Sequence, residues 1–434
     1  MNINRRSVLS LAGLGIAATA LSACAGSGGG ASSQQQEGNG KIQFWSNHPG
    51  SSRDIEQKLV DKWNQANPDH PAELIDGGKN YEELGQKFNA ALSGGDLPDV
   101  IVASDVTWFN FAFQGATTAL DDIWSSEKID TSNYVKTLLE DYKYDGKHYG
   151  VPYSRSTPLM YWYVEDLKKA GLPTDQGPKT WQEFAENWAP KLKQATGKAP
   201  LVVADGENYL DWYFEGAFWT FGGAYSKEWD LKFTDPKTIE AAQFLQDQVK
   251  KGHIKVVKDS ANDFGIGNAS GLLESTGSLG GLKESAKGEF VTTYLPGPKP
   301  GTTTGGAGLA IPSGISDERK KIAAKFIDFL TNAENTITFT QATGYMPVRT
   351  DAEKNAEEAK YLKENPNAQT AMNQLKENTK PQDYARVFVS GGGQKIGGAL
   401  DKIVAGQDVK QIMQSLQDDL QKTIDRDIKP HLNK

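Results

Sequence analysis

Lys41-Ile-Gln-Phe-Trp45, Ala72-Glu-Leu-Ile-Asp76 and Asp99-Val-Ile-Val-Ala-Ser104 are three short apolar runs that punctuate residues 41 to 104. Between the first two, Ile55, Leu59, Val60 and Trp63 recur at helical spacing through Arg53 to Gln65, and Pro68 ends that helix. Between the second and third, Tyr81 to Leu92 reads as another helix. The order strand, helix, strand, helix, strand predicts an α/β fold with a mainly parallel sheet, because helical crossovers of this kind join parallel strands. Ligands in such sheets gather beyond the carboxyl ends of the strands. That rule points to Trp45-Ser46-Asn47, Gly77-Gly78 and Ser104-Asp105.

Upstream, Asn4-Arg5-Arg6-Ser7 precedes the apolar run Val8 to Leu21 and the small residues of Leu21-Ser22-Ala23-Cys24. A basic start, an apolar run and a small-residue end make an export signal. The run of about 14 residues falls short of the roughly 20 that span a bilayer as a helix, so residues 1–23 are expected to be removed. Arg5-Arg6 fits a twin-arginine signal as well as a plain secretory one, and both stay open. Leu-Ser-Ala-Cys resembles the lipobox of bacterial lipoproteins, which implies lipidation of Cys24 and anchoring to the outer face of the cytoplasmic membrane. Cys24 is also the single cysteine of the chain, which excludes disulfides and cysteine-rich metal sites within it. Residues 25–40 hold no apolar side chain larger than alanine and read, with Cys24, as a flexible tether over 24–40.

Downstream the texture changes. Thr180 to Leu192 and Lys237 to Lys251 read as helices, with an aromatic-dense stretch from Tyr209 to Tyr225 between them. Gly305-Gly-Ala-Gly-Leu-Ala-Ile-Pro312 returns to strand character, followed by a helix with Ile322, Phe326, Ile327 and Leu330 on one face, as if the chain revisits its first lobe. Beyond Met346 the chain is largely helical, and Val409, Ile412, Met413, Leu416 and Leu420 form a stripe expected to pack onto a lobe. Hydrophobic residues at 38% and aromatics at 10% support a globular body long enough for two domains. Residues 1–23 carry no charged side chain but Arg5 and Arg6, so their removal moves the formal charge from −8 to −10. So acidic a chain, without long basic clusters, has no bulk charge for nucleic acid or anionic lipid.

Phe44-Trp-Ser-Asn-His-Pro-Gly50, residues 79–91, Leu97-Pro-Asp-Val-Ile101, Ser154-Arg-Ser-Thr-Pro158, Ser275-Thr-Gly-Ser278, Gly305-Gly-Ala-Gly308, Gly344-Tyr-Met-Pro-Val-Arg349 and Tyr384-Ala-Arg386 occur in an order that resembles the Ugp-type extracellular solute-binding proteins. The resemblance runs from Lys41 to about Ile428. It implies a two-lobe periplasmic-binding-protein fold, type II and maltose-binding-protein-like, with the ligand in a cleft between lobes. Lobe 1 is expected from 41–152 and 305–342, lobe 2 from 153–304 and 343–434. The implied role is capture of glycerophosphodiesters such as glycerophosphocholine, or of sn-glycerol-3-phosphate, for the permease and ATPase of an ABC importer. A monomer without cofactor or metal is expected, touching the membrane through its lipid anchor only.

A phosphodiester buried without a partner would cost far more than binding returns, so its site needs directed donors and ideally a permanent positive charge. Arg386 offers planar paired donors worth roughly 1.5–3 kcal/mol per charge-assisted bond, and the resemblance makes it the phosphate-contacting arginine; a surface ion pair is the alternative. The resemblance adds Tyr345, Ser275 and Gly306 as donors to the same group, although a Ser-Thr-Gly-Ser segment also caps helices. Asp105 is the expected acceptor for polyol hydroxyls, or else an N-cap. Tyr81 and Ser156 match further contacts. Tyr209 and Trp212 form an aromatic pair that could stack on a polyol or hold a quaternary ammonium, worth about 0.5–2 kcal/mol. Tyrosine at 209 departs from the family, where an aliphatic residue or another aromatic stands. Tyr213, Phe214, Phe218, Trp219 and Phe221 are expected as core behind the pair.

His48, His70, His148, His253 and His431 show no metal-ligand spacing, and the chain has no Gly-x-Ser-x-Gly elbow and no phosphate loop. Scattered among 55 acids, a hydrolytic carboxylate pair stays open as a second class of function. Within the binding class the rival is an oligosaccharide carrier, which would not require a buried guanidinium.

Overall fold

The computed structural model describes residues 40–432. The export signal, Cys24 and the tether up to Asn39 lie outside the described residues.

The first unit forms as the alternation requires. Strand β1 (Ile42–Ser46), helix α1 (Gly50–Ala66), strand β2 (Ala72–Asp76), helix α2 (Tyr81–Gly94) and strand β3 (Val100–Ser104) follow one another, and β1 pairs in parallel with both other strands. Phe44, Val100 and Ile101 are fully buried beneath α1 and α2, whose Leu59, Val60, Leu84 and Phe88 meet them. α1 begins at Gly50, before the expected Arg53, because Gly50-Ser51-Ser52 carries no apolar signal. Asn80 caps α2 by accepting the Glu83 N–H at 2.9 Å, and Gly95 ends it in the left-handed conformation. A short helix, α3 (Trp108–Phe113), follows β3.

The chain then builds a second sheet. Strand β4 (Val151–Ser156) completes the first lobe, and strand β5 (Pro158–Tyr163) enters the second. There follow strand β6 (Leu201–Ala204), helix α4 (Leu210–Thr220), and strands β7 (Ile254–Val257), β8 (Gly271–Ser275) and β9 (Phe290–Thr293). Their order is β7-β6-β8-β5-β9. Strand β10 (Gly305–Ala310) returns to the first sheet, whose order is β2-β1-β3-β10-β4, with β10 antiparallel to both neighbours. Helices α5 (Asp317–Leu330) and α6 (Ala333–Thr343) cover the first lobe; α7 (Tyr384–Val387), α8 (Gly392–Val404) and α9 (Val409–Thr423) cover the second. The stripe on α9 is buried at Val409, Met413, Leu416 and Leu420.

The segments that cross between lobes touch one another. Thr157, between β4 and β5, donates its hydroxyl to the Thr303 carbonyl at 2.7 Å, and Met346 N–H donates to the Arg155 carbonyl at 2.9 Å. Two expected boundaries shift. The first lobe runs to Ser156 and not to 152, because β4 keeps pairing with β10 up to Gly305 opposite Ser156. Residues beyond 343 do not all belong to the second lobe: Met346, Val348, Met372 and Leu375 are buried in the first core.

Candidate functional site

Between the two sheets lies a cavity of about 200 Å³ lined by Tyr81, Asp105, Ser156, Tyr209, Trp212, Ser275, Gly306, Tyr345 and Arg386, together with Asn47, His48 and Glu274. All nine side chains and backbone groups singled out from sequence therefore meet at one place. Of the strand ends expected to face a ligand, Asn47 and Asp105 do so, while Gly77-Gly78 yields to its neighbours Lys79 and Asn80. A volume this small suits a compact solute, since drug-sized ligands occupy about 300–1,000 Å³.

β10 is shaped for close approach. Gly306 has φ 103, and a Cβ there would stand 1.9 Å from the Ser154 carbonyl oxygen; the register of β10 against β4 shifts just beyond it. Its carbonyl accepts the Asp105 N–H at 2.9 Å, which fixes the end of β3 at the cavity. Next to it, Gly305 lets the Trp212 indole lie against the backbone, at 2.4 Å from where a Cβ would be. The Trp212 Nε1–H is buried without an acceptor among the described residues and is free to donate to a solute.

Arg386 is 2% exposed, which removes the surface ion pair as a reading. Its Nε donates to Asp211 Oδ2 at 2.7 Å, and its Nη1 donates to Asp105 Oδ2 at 3.3 Å and to Gln382 Oε1. Nη2 has no acceptor among the described residues. Burial opposes the guanidinium charge, but the carboxylates of Asp211, Asp105 and Glu215 outweigh burial, and the net shift is upward. Asp211, missed in the sequence, is raised by burial against the pull of Arg386. Glu215, fully buried, is raised well above the ordinary range by burial and by Asp383. One guanidinium thus faces several carboxylates, of which burial drives Glu215 toward its neutral form.

Asp105 also accepts from Gln382 Nε2, and it caps nothing: α3 begins after Thr107, which makes no side-chain cap bond. Ser275 Oγ accepts the Gly277 N–H at 3.0 Å, so the capping role is real and its hydroxyl proton stays free to point elsewhere. Glu274 beside it is raised by burial and accepts from Ser260 Oγ at 2.9 Å and from the Tyr213 hydroxyl. Tyr213 is buried core as expected and also lines the cavity. Phe214 and Phe218 are core as expected, whereas Trp219 and Phe221 are half-buried.

A second buried pair backs the opposite wall. His48 Nδ1 and Glu56 Oε1 are 2.7 Å apart with both residues buried, and His48 Nε2 lies 3.3 Å from the Tyr81 hydroxyl. Tyr345 stacks on Phe339 at 5.5 Å between centroids and faces the His48 ring at 5.6 Å. Burial pushes the Tyr81 and Tyr345 hydroxyls well above the usual phenol range, so both are donors at neutral pH. Sequence reasoning passed over Glu56 because helical spacing marks α1 only by its apolar residues, and it weighed His48 only as a metal ligand.

No group of three metal-ligating side chains occurs among the described residues. The bacterial extracellular solute-binding protein family matches residues 58–370. UgpB from Mycobacterium tuberculosis, in a crystal structure with glycerophosphocholine, is 46% identical, with a TM-score of 0.86 over 90% of this chain and 100% of that one. The sn-glycerol-3-phosphate-binding periplasmic protein UgpB of Escherichia coli K12 is 28% identical over 353 residues, 77% of this chain and 80% of its own. Maltose-bound T. maritima MalE3, at 22% identity, 88% and 99% coverage and a TM-score of 0.76, shares the fold. With a two-lobed architecture, a cavity between the lobes and a family match over most of its length, the chain belongs to the bacterial extracellular solute-binding proteins, non-catalytic carriers of the exported type that hold a small solute in the cleft.

Proposed function

We propose that this protein captures a glycerophosphodiester, glycerophosphocholine foremost, and delivers it to the permease and ATPase of an ABC importer from a lipid anchor at Cys24. The observation that carries the ligand class is Arg386: a buried guanidinium in the cavity wall whose Nη2 has no acceptor among the described residues. A neutral sugar gives no reason to bury that charge. The relative that holds glycerophosphocholine, similar along its whole length, supports the same reading.

Charge separates the diester from the monoester. Arg386 already answers Asp211 and Asp105. A phosphodiester adds one negative charge and, with choline, a compensating positive one, whereas glycerol-3-phosphate approaches two negative charges at neutral pH. In this role Arg386, Tyr345, Ser275 and the Gly306 backbone address the phosphate, Asp105 turns from Arg386 to the glycerol hydroxyls, and Tyr81, Ser156 and Trp212 complete the enclosure. Calorimetric titration of the mature protein with glycerophosphocholine, glycerol-3-phosphate and maltose tests this. Glycerophosphocholine should bind at least about tenfold more tightly than glycerol-3-phosphate, a difference of about 1.4 kcal/mol. Maltose binding that survives Arg386→Ala would overturn the reading.

A further inference from the structure

Tyr209 stands on the second lobe at the start of α4, with φ 77, an uncommon backbone for a bulky side chain. Its hydroxyl accepts the Tyr81 N–H at 3.0 Å and donates to Glu82 Oε2 at 3.0 Å, and both partners lie in the first turn of α2 on the first lobe. First-turn N–H groups have no acceptor within their own helix. Here one is satisfied from across the cleft. The Tyr81 and Tyr209 rings stand 6.2 Å apart, side by side along the cavity wall.

The hydroxyl has its donor and its acceptor both engaged by the opposite lobe, so it contributes neither to the solute. This differs from the role expected of an aromatic partner to Trp212. It also differs from the other polar link around the cavity, which joins Asp105 to Arg386 and Gln382. In the proposed function that link must rearrange when a phosphodiester arrives. The Tyr209 link need not, because none of its atoms is required by the ligand.

We propose that Tyr209 is a cross-cleft latch that favours the closed arrangement even without solute and, by closing one end of the cavity, limits the size of the headgroup that fits. The second half rests on the glycerophosphodiester reading; the first half does not. A phenyl or aliphatic side chain at 209 cannot latch, so the effect belongs to the tyrosine that this sequence carries.

The test places one label on each lobe, at the exposed positions Leu92→Cys and Ile266→Cys, in the mature chain carrying Cys24→Ser. Distances between labels are then measured with and without glycerophosphocholine. Without solute, the parent should populate the short distance and Tyr209→Phe should shift toward the long one, with an unchanged thermal midpoint showing that the fold is intact. The apparent dissociation constant should rise about three- to tenfold through faster release, as expected when the competent state is less populated. Glu82→Gln, whose amide oxygen still accepts the hydroxyl proton, should stay near the parent, whereas Glu82→Ala should follow Tyr209→Phe. Coincident solute-free distances in parent and Tyr209→Phe would overturn the latch. If the distances shift but no glycerophosphodiester binds, the latch stands and the ligand reading falls. Tyr209→Ala should admit glycerophosphoinositol, and continued exclusion of it would overturn the size limit.

Discussion

Arg386 and Asp211 form a buried ion pair, Nε to Oδ2 at 2.7 Å, between α7 and the first turn of α4. Removing one partner leaves the other charge without compensation, which typically costs about 3–5 kcal/mol. Arg386→Ala should therefore lower the thermal midpoint as well as abolish binding of glycerophosphocholine, and the double variant with Asp211→Asn should recover part of the stability and none of the binding. Melting curves that matched the parent for the single variant would contradict a structural role for the pair.

His48 links Glu56 to Tyr81 through its two ring nitrogens, at 2.7 and 3.3 Å. A Glu56 carboxylate that takes the Nδ1–H would leave Nε2 to accept from the Tyr81 hydroxyl. Nitrogen-15 spectra should show Nδ1 protonated and Nε2 bare in the solute-free protein. Glu56→Leu should lose that tautomer preference and weaken binding by about tenfold, or 1.4 kcal/mol; an unchanged imidazole spectrum would show that Glu56 does not hold the ring.

Glu82 gives closure a pH dependence. Burial raises its carboxyl to about 7, against the pull of Tyr209 and Arg386 and with the help of Asp211. In an open cleft, where water reaches the carboxylate, it returns toward the ordinary range near 4.3. The closed form therefore binds the proton more tightly, and linkage favours closure at low pH and weakens it as pH rises from the ordinary range through about 7. The solute-free closed fraction should fall across that window in the parent and stay flat in Glu82→Gln, which inter-lobe distance measurements would follow directly. A rise with pH would reverse the sign and remove burial as the cause.

Gly306→Ala should be among the most damaging single-methyl changes, because the backbone is left-handed and the new Cβ would meet the Ser154 carbonyl at 1.9 Å. A loss of about 2 kcal/mol or more is expected by urea unfolding, together with loss of the Asp105 anchor. Gly398→Ala, in the middle of α8 with open space around it, is the matched control and should be neutral or stabilising by about 0.4–1 kcal/mol.

The strand and helix order of residues 41–104 was legible because each element repeats its apolar residues at its own period, and that alone places Asn47 and Asp105 at a shared opening. The convergence of Arg386, Tyr345 and Ser275 on the same cavity came from family motifs, since nothing local to Tyr384-Ala-Arg386 says which sheet it will face. Asp211 was hidden inside the quoted Tyr-Leu-Asp-Trp segment, one acid among many, and its meaning depends on a partner 175 residues away. Tyr209 was read by its ring, while its hydroxyl is engaged by another lobe. Lobe boundaries failed for a related reason: strand pairing to Ser156 and the return of Met346 to the first core are properties of packing, not of composition.

The hydrogen bond from Thr157 to the Thr303 carbonyl joins two crossing segments directly beside Ser156, and the Thr157 carbonyl accepts the Thr276 N–H at 2.9 Å, next to Ser275. Spine and pocket therefore share neighbours: a change at Thr157 would reach both the ease with which the halves swing and the surface they present to cargo. Retention and selectivity are tied together in this architecture, so a lineage, or an engineer, that edits the spine also moves the question of which cargo is recognised.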